Sequence, residues 1–74
     1  MAQQEKALLE RLRLSKGLSI AELARRAGVD ATTVSRAERG DRVQEHKATM
    51  IAQAISQAVG QEYTYEQLGI NIYP

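Results

Sequence analysis

One face of a short helix in the middle of this 74-residue chain collects side chains that can contact nucleic acid. They are Ala31, Thr32, Ser35, Arg36 and Arg39, and this spacing places them on one side of a helix. Hydroxyls can hydrogen-bond to base edges or phosphates, a methyl can pack on thymine, and arginine can bind guanine or phosphate. An ordinary solvated face is the alternative, but such a face would favour Glu, Lys or Gln over Thr and Ser. We therefore expect a contact surface.

Basic charge is concentrated on the same part of the chain. Residues 11–42 carry eight basic and four acidic side chains, whereas the remainder carries two basic and five acidic ones. The eight basic residues are Arg11, Arg13, Lys16, Arg25, Arg26, Arg36, Arg39 and Arg42. A face that binds phosphates needs such a local excess, which the net charge of +1 conceals. A solvated helical surface with no partner would explain the charge equally well.

The pattern of apolar residues, capping residues and glycines predicts an all-α chain folded as a compact five-helix bundle. The predicted helices span about 3–15, 19–27, 30–39, 44–59 and 64–68. Ser19 with Glu22 and Thr64 with Gln67 have the spacing of capping boxes. The apolar tail, 70–74, alternates like a strand, and we expect it to fold back or to meet a partner.

The second and third helices are joined by a tight turn at Gly28, which is the layout of a helix-turn-helix. Gly28 can adopt the left-handed conformation that the turn needs, and Ala24 is small enough to let the two helices approach closely. Leu23, Val29 and Val34 would fill the space beneath this corner. The same framework is required whether or not the motif binds DNA.

The stretch from Arg13 to Gly40 resembles the phage-repressor family of helix-turn-helix proteins, the lambda-repressor-like or Cro/XRE type. The residues that carry the resemblance are Arg13, Gly17-Leu18-Ser19, Leu23-Ala24, Gly28-Val29, Val34-Ser35, Glu38 and Gly40. The helix containing Ile51 to Val59 is similar to the family's fourth helix, so the resemblance covers most of the chain. It implies a domain that binds a two-fold operator in double-stranded DNA as a homodimer and regulates transcription, and we expect a repressor.

The resemblance also implies roles for individual residues. Base reading is implied for Ala31, Thr32, Thr33, Ser35 and Arg36. Phosphate binding is implied for Ser19, Arg39, Gly40, Arg42 and Lys47. Arg13 and Glu38 match positions that form a partly buried ion pair in some members. One departure is Ile20, because the family often has a glutamine there that grips a phosphate. That contact is then reduced to a backbone N–H at the start of the helix.

No constellation of residues points to an enzyme, a metal site or a cofactor. The chain has no cysteine, its single histidine, His46, has no partner at metal-ligand spacing, and no glycine-rich phosphate loop occurs. Tyr63, Tyr65 and Tyr73 lie away from the basic stretch, which argues against base stacking on single strands. We expect no small-molecule ligand in so small a bundle, and a cytoplasmic protein because no apolar run reaches membrane-spanning length.

These observations predict one helix-turn-helix domain over residues 1–69 and a tail, 70–74, that can serve as a dimer contact. A second function remains compatible with the same fold. It is a protein-interaction module, such as an antitoxin, whose C-terminal segment binds a protein partner. The apolar residues and the tyrosines between Tyr63 and Pro74 are the feature that would support this alternative.

Overall fold

The structure is a computed structural model that describes residues 6–74. In that part of the chain it contains four α-helices and no strand, so the all-α prediction is confirmed. The helices are α1 (Leu8–Ser15), α2 (Ile20–Ala27), α3 (Ala31–Arg39) and α4 (Glu45–Val59). None of these helices is long and apolar enough to cross a membrane.

The first helix begins later than the sequence pattern predicts. Residues 3–5 of the predicted helix lie outside the described residues, and Lys6 and Ala7 are not helical. The backbone of Ala7 is extended, with ψ at 150°, and no side chain caps α1. Leu8 is half-buried and Leu9 is fully buried, so the packing that stabilises this helix starts where the helix starts.

The start of α2 is the predicted capping box. The hydroxyl oxygen of Ser19 accepts the backbone N–H of Glu22 at 3.0 Å. In return, the Glu22 carboxylate accepts the backbone N–H of Ser19 at 2.8 Å. These bonds satisfy two N–H groups that the first helical turn leaves without partners. Hydrogen bonding from Ser19, chiefly from its backbone N–H, also holds the pKa of the Glu22 carboxyl below its ordinary value, because the ionised carboxylate is the better acceptor.

The corner between α2 and α3 depends on Gly28. This residue ends α2 with φ at +77°, a left-handed conformation that a side chain would strain. The next residue, Val29, donates its N–H to the carbonyl of Ala24 at 3.0 Å, which closes the helix end. A Cβ atom at Gly28 would also lie 3.3 Å from the terminal methyl of Met50, so the glycine permits close approach to α4.

The core lies where α2 packs against both α3 and α4 and where α1 packs against α4. Its largest fully buried side chains are Leu9, Leu23, Val34, Ile51, Ile55 and Leu68. Every helix contributes to this cluster, and Leu68 joins it from the chain after α4. The inward side chains of α3 are therefore committed to packing, which leaves the opposite side of that helix available to a partner.

The predicted fifth helix over 64–68 is wrong, because this segment forms only one helical turn. The side chains and backbone N–H groups of Thr64 and Gln67 exchange hydrogen bonds as a capping box, at 2.9 and 3.1 Å. The carbonyl of Thr64 then accepts the N–H of Leu68, and Ile70 donates to the carbonyl of Tyr65. The capping box and the helix-ending glycine at position 69 are so close together that no second turn fits between them.

The C-terminal tail, residues 70–74, folds back on the loop between α3 and α4. Val43 donates its N–H to the carbonyl of Asn71 at 3.0 Å, and its own carbonyl accepts the N–H of Tyr73 at 3.1 Å. These two bonds form a parallel bridge between Val43 and Ile72. Ile70 is buried and Ile72 is half-buried against the core. The alternation of the tail therefore produces one bridge and not a strand.

Candidate nucleic-acid interface

The start of α3 is held by its capping residue, Asp30. Its carboxylate accepts the backbone N–H of Thr33 at 3.0 Å and also the hydroxyl of Thr33. These two hydrogen bonds, with a smaller contribution from the nearby Lys47 ammonium, hold the pKa of Asp30 below its ordinary value. The first turn of α3 is therefore fixed from within before any partner arrives.

The outward side of α3 collects the predicted contact residues. Ala31 and Thr32 are exposed in the first turn, and Arg39 is exposed in the last. Ser35 and Arg36 lie between them and are partly exposed. Small side chains thus occupy the N-terminal half of this face and arginines the C-terminal half. The small side chains of the N-terminal half let the surface of a partner approach the backbone of α3 closely.

Thr33 does not belong to this face. Only 8% of the residue is exposed, and its hydroxyl donates to the carboxylate of Asp30. It is one of two polar or charged residues that are buried in the part of the chain that the structure describes. Thr33 is buried with Val34 and Ala37 and borders the cavity that Arg36 also lines. Because its hydroxyl is already bonded to Asp30, we remove it from the set that would contact bases.

Arg36 is held in place by two uncharged oxygen atoms. Its Nη2 atom lies 3.3 Å from the hydroxyl oxygen of Tyr73 and 3.5 Å from the backbone carbonyl of Arg42. Neither acceptor carries a negative charge, so the guanidinium keeps its full positive charge for an outside partner. The contact with Tyr73 was not predicted from the sequence, because 36 residues of chain separate the two positions.

Arg39, in contrast, is paired with a carboxylate. Its Nη2 and Nε atoms lie 3.1 and 3.3 Å from one oxygen of Asp41, and its Nη1 donates to the hydroxyl of Ser35 at 3.3 Å. The arginine and aspartate side chains remain 60% and 48% exposed. Sequence reasoning missed this pair, although the spacing of two residues across the glycine at position 40 is a signal that it could have used.

Two of the predicted phosphate-binding residues follow α3, one in the loop and one in the first turn of α4. Arg42 is exposed and Lys47 is partly exposed on the first turn of α4. Both line a shallow cavity of about 160 Å³ together with Arg36 and Tyr73. Gly40 lies beside them, but its N–H donates to Ala37 and its carbonyl accepts the side-chain amide of Asn71 at 2.7 Å. Both backbone hydrogen-bonding groups of Gly40 are therefore occupied within the chain.

A buried ion pair braces α1 against α3. The Nε and Nη2 atoms of Arg13 donate to the two carboxylate oxygens of Glu38 at 2.6 and 3.1 Å, and Nη1 donates to the carbonyl of Leu18 at 2.8 Å. Only 8% of the Arg13 side chain and 6% of the Glu38 side chain are exposed. The hydrogen bonds to Glu38 raise the pKa of Arg13 above its ordinary value, because they stabilise the charged guanidinium.

The comparison with protein families agrees with this architecture. A family model described as a helix-turn-helix domain matches residues 7–56, which is more than half of the chain. The chain belongs to the helix-turn-helix domain family. No curated protein and no solved structure matches it significantly. The match is consistent with the lambda-repressor-like, Cro/XRE-type resemblance read from Arg13 to Gly40.

In this helix-turn-helix domain, α2 and α3 are the two helices of the motif, and the buried ion pair ties the motif to α1. The family match ends at Ser56, near the end of α4. It includes the outward face of α3 and the loop that carries Arg42. The turn after α4 and the tail with Tyr73, which contacts Arg36, lie beyond the match.

The start of α2 offers little to a phosphate beyond its backbone. The hydroxyl and the N–H of Ser19 are both occupied by Glu22 in the capping box. Ile20, which replaces the glutamine often found in the family, packs partly buried against the core. His46 is exposed, and the described residues contain no group of side chains that could hold a metal ion.

Proposed function

We propose that this protein is a sequence-specific regulator that binds double-stranded DNA with α3 in the major groove. The observation that carries the proposal is the outward face of α3 in a helix-turn-helix domain. Its exposed first turn is small enough to approach base edges, and Arg36 lies one turn later with an uncompensated charge. A major groove of about 12 Å width accepts such a helix.

The base contacts would come from four residues of α3. Arg36 would bind a guanine through paired hydrogen bonds to its major-groove edge. Thr32 and Ser35 would donate to or accept from neighbouring bases, and Ala31 would pack against a thymine methyl. Each good paired contact contributes about 1–3 kcal/mol of discrimination against the wrong base, so Arg36 is the residue with the largest expected effect on specificity.

The phosphate contacts would come from the loop after α3. Arg42 and Lys47 are close enough to line one cavity with Arg36, so a single stretch of DNA backbone would meet both. Arg39 would add a third contact after its guanidinium leaves Asp41. The backbone N–H groups that follow Ser19 in the first turn of α2 would add a weaker one, because Glu22 already occupies the Ser19 N–H. Such contacts fix the register of the helix without carrying sequence information.

A homodimer that represses by occupancy is the simplest mechanism for a domain of this size. One α3 helix reads only a few base pairs, and the area that it buries supports limited affinity. Two copies on half-sites about one helical turn apart, roughly 34–36 Å, would double the contacts and give a two-fold operator. A bound dimer would then block polymerase or another protein sterically.

In vitro selection from random duplex DNA tests this proposal directly. If a homodimer binds a two-fold operator, we expect enrichment of a palindromic sequence with half-sites about one helical turn apart. Sedimentation of the protein with the selected duplex should give two chains per duplex. Absence of any enrichment at low salt would contradict the proposal, because phosphate contacts are strongest there. Enrichment of a single half-site with one chain bound would retain the DNA-binding function and remove the homodimer.

The protein-interaction alternative has weaker support from the tail. Ile70 is buried and Ile72 is half-buried within the chain, so Tyr73, 49% exposed, is the main apolar group that the tail offers to a partner. Deleting residues 70–74 separates the possibilities. A loss of self-association with intact helical content would favour a tail that serves the dimer, whereas an unchanged dimer would leave the tail for DNA or for another protein.

A further inference from the structure

The C-terminal tail is fixed to the loop that adjoins the outward face of α3. The backbone of Val43 makes two hydrogen bonds, one with Asn71 and one with Tyr73. The side-chain amide of Asn71 makes a third, to the carbonyl of Gly40, at 2.7 Å. The burial of Ile70 adds an apolar anchor. These contacts place the tail against the predicted DNA-binding surface.

This arrangement brings a tyrosine hydroxyl to the arginine that matters most for the proposed function. The Tyr73 hydroxyl oxygen accepts a hydrogen bond from Nη2 of Arg36 at 3.3 Å. Both side chains line the cavity of about 160 Å³ that also includes Arg42 and Lys47. The Tyr73 residue is 49% exposed, so its ring lies at the edge of the surface and not beneath it.

The uncharged hydroxyl of Tyr73 limits the motion of the Arg36 guanidinium. An arginine side chain that is free in solution loses rotamer entropy when it is fixed in a complex. A hydrogen bond from an uncharged oxygen restricts the guanidinium beforehand without cancelling its charge. The carboxylate that holds Arg39 restricts that side chain as well, but it also neutralises it. Tyr73 therefore prepares Arg36 for an outside acceptor.

We propose that Tyr73 is a positioning residue for Arg36 and sharpens the choice of the base pair that Arg36 contacts. This inference rests on the proposed function, because it assigns a role within the same interface. The Tyr73 hydroxyl and the Arg42 carbonyl both contact Nη2, so the N–H groups of Nε and Nη1 would be the ones offered to a base. The tail is then part of the DNA-binding surface.

The test compares Tyr73→Phe with Tyr63→Phe. The first variant removes the hydroxyl and keeps the ring. The second removes the hydroxyl of a tyrosine that packs against the core and makes no side-chain hydrogen bond to Arg36. Affinity is measured by fluorescence anisotropy for the selected duplex and for duplexes with each base pair replaced in turn. The same series is repeated in an Arg36→Ala background.

We expect Tyr73→Phe to lose roughly three- to tenfold in discrimination at one base pair, which is the size of one hydrogen bond. Discrimination at the other positions should stay unchanged, and Tyr63→Phe should match the parent. In the Arg36→Ala background, Tyr73→Phe should have no further effect on discrimination, because its partner is gone.

Two results would overturn the inference while leaving the proposed function intact. One is a parent-like discrimination profile for Tyr73→Phe. The other is a loss that persists at full size in the Arg36→Ala background. Failure of the parent protein to bind any duplex would overturn both. A measurement without DNA separates these cases: the NMR order parameter of the Nε–Hε bond of Arg36 should fall in Tyr73→Phe, and an unchanged value would contradict the inference by itself.

Discussion

Two arginine–carboxylate pairs on and beside α3 share the same chemistry and differ in every other respect. Arg13 and Glu38 are buried, meet through two parallel hydrogen bonds, and are further held by the carbonyl of Leu18. Arg39 and Asp41 lie in the open, with one carboxylate oxygen shared between two nitrogens. The buried pair cannot separate without leaving a charge in the core, whereas the exposed pair can separate in water at little cost. The first stabilises the fold, and the second is the one from which our proposed phosphate contact would draw Arg39.

The largest effect is expected from breaking the buried pair. Arg13→Ala would leave the Glu38 carboxylate buried without its partner, and we expect the free energy of unfolding to fall by about 3–5 kcal/mol in urea titrations. Arg11→Ala, on the exposed side of the same helix, should stay within about 0.5 kcal/mol of the parent.

A double variant keeps this test informative if Arg13→Ala does not fold. Replacing both Arg13 and Glu38 by leucine removes the two charges together and should recover much of the lost stability, because apolar residues often replace buried ion pairs without loss. If Arg13→Ala lowers the free energy of unfolding no more than Arg11→Ala does, the buried pair does not stabilise the fold and does not differ from the exposed pair in this respect.

The second prediction concerns the outward face of α3 and not the hydrophobic core. Arg36→Ala should unfold like the parent, since the side chain is partly exposed, but it should bind the selected duplex about 1–3 kcal/mol more weakly and lose its preference at one base pair. Arg42→Ala is the matched control on the same surface. It should weaken binding to all sequences alike and lower the slope of log affinity against log salt by about 1. Identical profiles for the two variants would contradict the division into base and phosphate contacts.

Much of this fold follows from the sequence because the signals are local. Ser19 with Glu22, Asp30 with Thr33, and the glycine at position 28 determine where α2 and α3 begin and end, and each acts within a few residues. The same kind of signal is misleading at the C-terminal end. Thr64 and Gln67 form the predicted capping box, but a cap specifies a start and not a length.

The rest depends on residues that are distant in the chain. No local pattern shows that Val43 pairs with Ile72, or that the tail delivers Tyr73 to Arg36. The burial of Thr33 was missed for a related reason. A threonine at the third position of a helix can face either outward or towards its own capping residue, and the spacing of residues in the sequence does not decide between them.

The third prediction concerns the exposed pair of Arg39 and Asp41, where we expect a smaller change in DNA affinity, of the opposite sign. Asp41→Asn would release Arg39 from its carboxylate, so affinity for duplexes of any sequence should rise, by at most about 1 kcal/mol, with a steeper salt dependence. Stability should barely change. Glu62→Gln removes the same charge from an exposed position after α4 and serves as the control. Equal gains for both variants would show a general charge effect and no specific role for Asp41.

The smallest effect concerns a third carboxylate, the helix cap Asp30. Its folded-state pKa lies below the unfolded-state value because the charged form accepts hydrogen bonds from Thr33. The stabilisation is therefore complete above an ordinary aspartate pKa of about 4 and is lost as the pH falls below it. Asp30→Asn keeps an acceptor that does not titrate, so its Tm should fall less than that of the parent between about pH 5 and about pH 2. Parallel losses in the two proteins would exclude this contribution.

An NMR titration of the isotopically labelled protein with its selected duplex tests most directly whether the outward face of α3 binds DNA. We expect the largest changes in chemical shift in the backbone amides of α3, beginning at Thr32, in those of residues 40–43, and at Tyr73. The amides of α1 and of the second half of α4 should change little. Largest changes on α1 or the end of α4, or no changes at low salt, would contradict the assignment of the outward face of α3 as the DNA-binding surface.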